Sequence, residues 1–340
     1  MKTDLSSLDF ASLKAFAASN GLPAYRAEQI FRWISKGVSS FDEMTDISKP
    51  LRETLSAISV ITQLKTEKKL ISSDGTVKYL FTLADGEHIE TVLMNYEHGN
   101  SVCISSQVGC RMNCAFCASS LKGLKRNLSA GEMLAQVATV NREYSVSSVV
   151  VMGIGEPMDN YDNLLIFLEN ISDPHGLALS HRHVSVSTCG IVPRICELAD
   201  KKLQLTLSVS LHAPDDETRN KIMPVNRKWN VETLIEACRR YTEETKRRIS
   251  FEYTLIKDVN DSIRHAETLA KLLHGMLAHV NLIPVNYVAE RGLYPSSQNS
   301  VRRFYDTLQK NGINVTVRRT LGSDINAACG QLRNKTEAVE

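Results

Sequence analysis

Three cysteines fall within eight residues, Cys110-Arg111-Met112-Asn113-Cys114-Ala115-Phe116-Cys117, at C-x3-C-x2-C spacing. Thiolates this close on one loop can each bind one iron of a 4Fe-4S cube, leaving the fourth iron without a protein ligand. An exchangeable small molecule can chelate that iron. A structural zinc site wants four ligands, usually in C-x2-C pairs. No second Cys/His pair stands at finger spacing, which makes zinc the weaker reading. The chain has five other cysteines. Cys196 and Cys238 lie in helical patterns and read as small buried hydrophobes, and Cys189, directly after a strand, reads as packing. Taken singly, Cys103 reads as a packed strand thiol and Cys329 as a packed loop thiol.

The cluster loop follows Val102–Ser105, the first of six candidate strands; the others are Val149–Met152, Val184–Thr188, Leu205–Leu211, Ile249–Leu255 and Val280–Pro284. Amphipathic helices lie between them, such as Glu132–Tyr144, Val231–Tyr241 and Ile263–His274. Strand alternating with helix predicts an α/β fold whose parallel strands curl into a partial (β/α)6 barrel. A helix from about Val301 to Lys310 and a short strand, Val315-Thr316-Val317, follow. Residues 1–62 read as helical, with apolar spacing in Asp9–Phe16 and Ala27–Ile34. Residues 63–98 carry a hairpin signature: Val77, Tyr79, Phe81 and Leu83 alternate, Asp85-Gly86 turns, and Ile89–Met94 returns. The expected organisation is an N-terminal helical accessory domain over 1–62, a small β-hairpin extension over 63–98, the barrel over 99–335 and a tail over 336–340.

In such barrels chemistry gathers at the C-terminal ends of the strands. Those ends read Gly153-Ile154-Gly155-Glu156-Pro157, Ser187-Thr188-Cys189-Gly190, Ser208-Val209-Ser210-Leu211-His212 and Pro284-Val285-Asn286. Each alone is ordinary turn chemistry, but a shared rim of polar groups predicts a pocket.

Composition narrows the class. The 340 residues carry 40 Lys+Arg against 38 Asp+Glu, a net charge of +2, and 43% are hydrophobic, which excludes charge-driven disorder. No run nears the ~20 apolar residues of a membrane span. The first ten residues lack a secretory apolar core. A cytoplasmic protein without a disulfide framework is expected. Near-neutral charge argues neither for nor against nucleic acid, because local clustering binds phosphates.

The cysteine loop with an aromatic, Phe116, before its last thiol resembles the radical S-adenosylmethionine enzymes. Further motifs narrow the match: Cys103-Ile104-Ser105-Ser106-Gln107-Val108-Gly109-Cys110, Met152-Gly153-Ile154-Gly155-Glu156-Pro157, Ser210-Leu211-His212-Ala213-Pro214 and Gly322-Ser323-Asp324-Ile325-Asn326-Ala327-Ala328-Cys329-Gly330-Gln331-Leu332. Together they resemble the RlmN/Cfr family of RNA adenine methyltransferases over roughly Tyr25 to Leu332. Gly155-Glu156-Pro157 is similar to the RlmN branch, where Cfr would carry Gly-Glu-Ala. Ser119 stands where Thr is common, a conservative departure.

The resemblance implies that Cys110, Cys114 and Cys117 hold a 4Fe-4S cluster whose open iron is chelated by S-adenosyl-L-methionine. Gly155 and Glu156 would meet its amino acid moiety, and Ser187, Ser210, Leu211, His212 and Asn286 the rest of it. Cys329 would accept a methyl group by displacement. A carrier is needed because the amidine carbon of adenine is electrophilic and cannot be attacked by a methyl cation donor. A second S-adenosylmethionine, reduced by the cluster, would yield a 5′-deoxyadenosyl radical that takes hydrogen from the S-methyl group. The resulting methylene radical adds to the ring, and Cys103 releases the adduct by forming a disulfide with Cys329. Transient cytosolic disulfides of this kind are catalytic exceptions to the compartment rule. The family's base matches Glu90, which otherwise reads as a surface strand glutamate; burial is the physical condition for the catalytic role, since it raises a carboxylate pKa.

The implied activity is methylation of carbon 2 of an adenine in 23S rRNA, and of an anticodon-loop adenine in tRNA, by a monomer served by a reductant such as flavodoxin or ferredoxin. Carbon-8 methylation of the same rRNA adenine is the alternative within the family. A glycyl-radical activase, which would have no use for Cys103 and Cys329, and a zinc-bound RNA-binding module are the alternatives outside it. Basic residues cluster at Lys122, Lys125 and Arg126, at Arg227-Lys228, at Arg239-Arg240, at Lys246-Arg247-Arg248 and at Arg318-Arg319. Arg239-Arg240 reads as a solvated helix face. Lys125, Arg126, Arg318 and Arg319 flank catalytic segments and are the candidates for phosphate contact. Tyr25, Arg26 and Trp33 belong to the region that resembles the family's RNA-binding accessory domain. A target base must leave its stack to reach a barrel mouth.

Overall fold

The computed structural model describes residues 2–97 and 99–333; the tail expected over 336–340 lies outside them. Ten strands form one sheet, arranged in unbroken sequence order. They are β1 (Lys65–Ile71), β2 (Val77–Thr82), β3 (His88–Tyr96), β4 (Gly99–Cys103), β5 (Val146–Val151), β6 (Val184–Thr188), β7 (Thr206–Ser210), β8 (Ile249–Leu255), β9 (Ala278–Pro284) and β10 (Val315–Val317). β1 to β4 pair antiparallel. β4 to β10 pair parallel, and the two edge strands do not meet, so the barrel is open. The predicted hairpin is β2–β3. It continues the barrel sheet through the pairing of Val92 with Cys103. Strand β1 was not expected: in Lys-Thr-Glu-Lys-Lys-Leu-Ile nearly every side chain is exposed, so no alternation marks it, and its lysines guard an edge.

Helices α1 (Phe10–Ser19), α2 (Ala24–Ser35) and α3 (Lys49–Ile58) precede the sheet. The parallel crossovers carry α4 (Ala130–Asn141), α5 (Tyr161–Ser172), α6 (Val192–Lys201), α7 (Asp216–Ile222), α8 (Val231–Thr245), α9 (Ile263–Leu273) and α10 (Gln298–Lys310). Local chemistry starts them where the sequence allows: a capping box joins Ser129 and Glu132 at α4, and Pro193 opens α6. Val186, Leu207, Val209, Phe251, Tyr253, Val280 and Leu282 face outward into a core shared with these helices. Alternation turns Ser187, Ser208, Ser210, Glu252 and Thr254 inward. A closed barrel fills its interior with apolar layers; here polar side chains line an open cavity instead.

The N-terminal helices pack on α4 and α5. Leu13, Ile30 and Phe31 share one core with Leu134, Val137 and Phe167. Gly131 N–H donates to Ser7 Oγ at 3.2 Å, and Asn170 Nδ2 donates to the Leu8 carbonyl at 3.0 Å. Among the described residues no helix is long and apolar enough to cross a membrane.

Candidate active site

The three-cysteine loop hangs between two short antiparallel strands, Gln107–Gly109 and Leu124–Asn127. Gly109 has φ +78°, and a Cβ there would lie 1.9 Å from the Gly123 carbonyl oxygen, so the loop closes only on glycine. Its backbone is anchored on several sides. Cys110 N–H donates to Gly123 O at 3.0 Å, Ala115 N–H to Ile222 O at 2.8 Å, and Ala118 N–H to Gly330 O at 2.7 Å. Arg291 braces it from across the mouth, donating from Nε to Cys117 O at 3.0 Å and from Nη2 to Ser120 Oγ at 2.7 Å.

Cys110, Cys114 and Cys117 line one cavity that opens to solvent. Among the described residues no three His, Cys, Asp or Glu side chains converge as around a single ion. Three buried or half-buried thiols on one loop, facing one cavity without meeting at a point, fit a multi-iron cluster better than zinc. Burial pushes the Cys110 thiol up to about 12 and raises Cys114 and Cys117 as well, so deprotonation awaits metal binding.

The strand ends form the opposite wall. Gly155, Glu156, Ser187, Ser210, His212 and Asn286 all line this cavity, as the shared polar rim predicted. Leu211 does not: its side chain is fully buried in the main core, because strand parity turns it away. Gly155 has φ +109°, and a Cβ there would meet Gln107 at 2.6 Å. That close approach lets Glu156 N–H donate to Gln107 Oε1 at 2.8 Å. The Glu156 carboxylate is buried, accepting from Cys189 N–H at 2.7 Å and Met158 N–H at 3.1 Å, while burial raises its pKa. His212 Nδ1 accepts from Thr254 N–H at 2.9 Å, which places the ring proton on Nε2. Burial first, and the Arg219 charge second, lower this imidazole to about 3. Phe116 meets the His212 ring edge-on at 4.7 Å.

Beneath this wall lies Arg219, fully buried and, among the described residues, in no salt bridge with a carboxylate. It donates to the carbonyls of Cys189 (2.7 Å), Leu211 (3.0 Å) and Ser210 (3.1 Å), and to Asn226 Oδ1 (2.8 Å). One guanidinium thus ties together the ends of β6 and β7.

A second, smaller cavity adjoins the first. Cys103 lines it together with Val92, Met94 and Tyr96, and Cys329 lines both cavities. All eight cysteines are free thiols, and burial pushes Cys103 up to about 12. Asn286 Nδ2 donates to the Cys329 carbonyl at 2.9 Å, linking the last long strand to the Cys329 segment. Arg318 also lines both cavities, among Cys329, Glu252, Tyr96 and Cys103.

Glu90 is 5% exposed, not a surface strand glutamate. It shares a strand face with Val92 and lies two residues nearer the mouth. Its Oε1 is 3.0 Å from Lys78 Nζ, and its Oε2 accepts from Arg333 N–H at 2.7 Å. Burial raises its pKa, and Lys78 opposes that rise. The C-terminal segment therefore covers Glu90, which lines neither cavity.

Two phosphate candidates are engaged within the chain. Lys125 pairs with Glu87 at 2.6 Å, and Arg126 pairs with Asp85 at 2.6 Å and with Glu132 at 2.8 Å. Arg318 faces the cavities, and Arg319 is exposed. Arg240 pairs with Asp200 at 2.6 Å, as suits a solvated helix face. Glu252, Thr254, Lys78 and Arg219 escaped the reading of the sequence, which took Arg318 only as a phosphate contact and not as a neighbour of the thiols. For Glu252 and Thr254 a signal existed: Ser250-Phe251-Glu252-Tyr253-Thr254 alternates polar and aromatic residues inside a strand.

Comparison with known proteins agrees with this geometry. A family model described as the Radical SAM superfamily matches residues 104–272, and one described as the ribosomal RNA large subunit methyltransferase N-terminal domain matches residues 3–61. A protein of Alkaliphilus oremlandii named probable dual-specificity RNA methyltransferase RlmN is 53% identical over 98% of each chain. One of the same name from Bacillus subtilis is 52% identical over 98% of this chain and 94% of its own. The crystal structure of a radical SAM methyltransferase from Sphaerobacter thermophilus superposes with a TM-score of 0.95 at 44% identity, covering 98% of this chain and all of the other.

Proposed function

Since the chain belongs to the RlmN family of radical S-adenosylmethionine RNA methyltransferases, we propose that it methylates carbon 2 of an adenine in 23S rRNA and in tRNA anticodon loops, using Cys329 as methyl carrier. The enzyme depends on a 4Fe-4S cluster and S-adenosylmethionine, which when bound supply one-electron cleavage and a carbon-centred radical. Cys110, Cys114 and Cys117 hold the cluster; Gly155, Glu156, Ser187, Ser210, His212 and Asn286 orient the S-adenosylmethionine.

The observation that carries the reading is the position of Cys329. It borders the cluster cavity on one side and the Cys103 cavity on the other, so one thiol can face first a methyl donor and then a resolving partner. Arg318 places a positive charge beside that thiol. The odd electron left by radical addition would be taken up by the cluster when bound. Glu90 takes the ring proton, Cys103 attacks the Cys329 sulfur, and the S–S bond forms as the sulfur–methylene bond breaks, its electron pair staying on the methylene carbon, which gains a proton to become the methyl group. Glu90 is suited to the role by burial, once the Arg333 N–H releases its Oε2. Glycyl-radical activation has no use for two thiols meeting across one cavity. A small one-electron donor protein such as flavodoxin or ferredoxin, a cytoplasmic location and a monomeric state complete the proposal.

The test is mass spectrometry of nucleosides from rRNA and tRNA treated with reconstituted enzyme, S-adenosylmethionine and reductant. Wild type yields 2-methyladenosine, Cys329→Ala yields none, and Glu90→Gln slows product release at least about a hundredfold, the range of general-base contributions. An 8-methyladenosine product would move the assignment to the other branch of the family. Formation of 5′-deoxyadenosine with neither product would remove the RNA substrate and keep the cluster.

A further inference from the structure

We infer that Tyr287 and Tyr294, beside the cavity mouth, form a stacking platform for an unpaired nucleobase adjoining the target adenine. The inference rests on the RNA reading above and adds residues that hold the strand.

Both tyrosines belong to the segment between β9 and α10, and both rings are largely in solvent, 50% and 59% exposed. Their centroids lie 5.6 Å apart with planes tilted by 31°. Isolated exposed hydrophobics are ordinary on protein surfaces. Two large rings held against each other in water beside a catalytic mouth are not, because the cost of exposing apolar faces there has no return in folding.

The backbone beneath the rings is fixed to the catalytic apparatus. Asn286, the preceding residue, lines both cavities and holds the Cys329 carbonyl. The Tyr287 carbonyl accepts from Gln331 Nε2 at 3.2 Å, and the Tyr294 carbonyl accepts from Lys257 N–H at 3.0 Å. Arg291, between the two, braces the cysteine loop. A base stacked on this pair is therefore held in a set relation to the thiols.

The chemistry of the substrate supplies the occupant. When an adenine leaves its stack, the neighbouring base loses a π-face contact, and an aromatic side chain can replace it. Sandwiching a base between two rings needs a centroid separation of about 7 Å, twice the ~3.5 Å contact distance. At 5.6 Å the gap is too small, so the base lies on an outer face and the pair acts as one surface. Lys257 and Arg319 are exposed, and Arg319 lines a cavity that Asn286 also lines, which gives the adjoining phosphates a positive border.

The experiment uses the full chain with its cluster reconstituted and a fluorescent RNA stem-loop carrying the target adenine. Tyr287→Ala and Tyr294→Ala should each weaken binding by about tenfold, whereas Tyr→Phe at either position stays near wild type. With the nucleotide beside the target made abasic, the alanine penalty should vanish. Unfolding midpoints and cluster absorbance matching wild type exclude misfolding. Unchanged RNA affinity in the alanine variants, or an equal penalty on the abasic RNA, overturns the platform while leaving the RNA reading intact. Normal RNA affinity with slowed cluster reduction by a donor protein also overturns it, in favour of protein docking. A wild type that binds no RNA overturns the substrate reading and the platform together.

Discussion

At the strand ends, a carboxylate, an imidazole and a guanidinium are buried close to one another without forming simple ion pairs. Glu156 is held by two backbone N–H groups and Arg219 by four neutral oxygens, while burial first and the Arg219 charge second keep His212 uncharged. A histidine lowered to about 3 in the fold and near 6.5 when unfolded stabilises the protein fully above pH 6.5, and that contribution is lost as pH falls toward 3. By pH 5 the loss is about 2 kcal/mol, at 1.36 kcal/mol per pH unit. His212→Asn keeps an acceptor for Thr254 N–H and tolerates the left-handed backbone at φ +56°, but does not titrate. Urea unfolding at pH 7 and pH 5 should show the wild type losing about 2 kcal/mol more than this variant; equal losses would mean His212 is charged or solvated in the fold. The sequence marked His212 as a rim residue. Its neutrality comes first from burial and then from the charge of Arg219, a helix residue with no motif around it.

The Cys329-bearing segment is fastened to the antiparallel part of the sheet by side chains far away in sequence. Gly322 N–H donates to Asp74 at 2.9 Å, Asp324 accepts from Ser72 Oγ at 2.5 Å and Ser73 N–H at 3.1 Å, and Lys78 Nζ donates to Asn326 O at 3.1 Å. The β1–β2 turn is thus a clasp on the carrier loop, which gives that part of the sheet a purpose beyond extending it. Hydrogen exchange by mass spectrometry on an Asp74→Ala/Asp324→Ala variant should show amides of residues 320–333 exchanging about tenfold faster, with β6 to β9 unchanged. Uniform acceleration across the barrel would mean that the segment is part of the global fold and not a separately docked element. The strand and helix pattern was readable because each element carries its own periodicity. The clasp was not, since Asp74 and Asp324 are ordinary turn residues until folding brings them together.

For the molecule as a whole, the N-terminal helices and the barrel share one hydrophobic core, with Phe31 and Ile30 packed among the side chains of α4 and α5. Shared burial couples their unfolding, since neither face can be exposed alone without losing apolar contacts of the other. The chain has two tryptophans, Trp33 in α2 and Trp229 just before α8, one in each part. Trp229→Phe and Trp33→Phe each leave a single reporter, and their urea transitions should coincide in midpoint and slope. Midpoints separated by more than about 0.5 M, with m of ~1–3 kcal/mol/M or larger, would show two independent folding units.

The sequence by itself determined the chemistry: three thiols at cluster spacing, two further cysteines in distinctive motifs, and polar residues at the ends of alternating strands. Those features are local, and spacing along a chain is enough to specify them. Tertiary structure alone decided which of them meet. It gave Cys329 a place on both cavities, buried Glu90 beneath Arg333, turned Leu211 into the core, committed Lys125 and Arg126 to internal carboxylates and set Arg318 beside the thiols. Burial and charge neighbourhood arise from residues distant in sequence, so no window of the chain contains them.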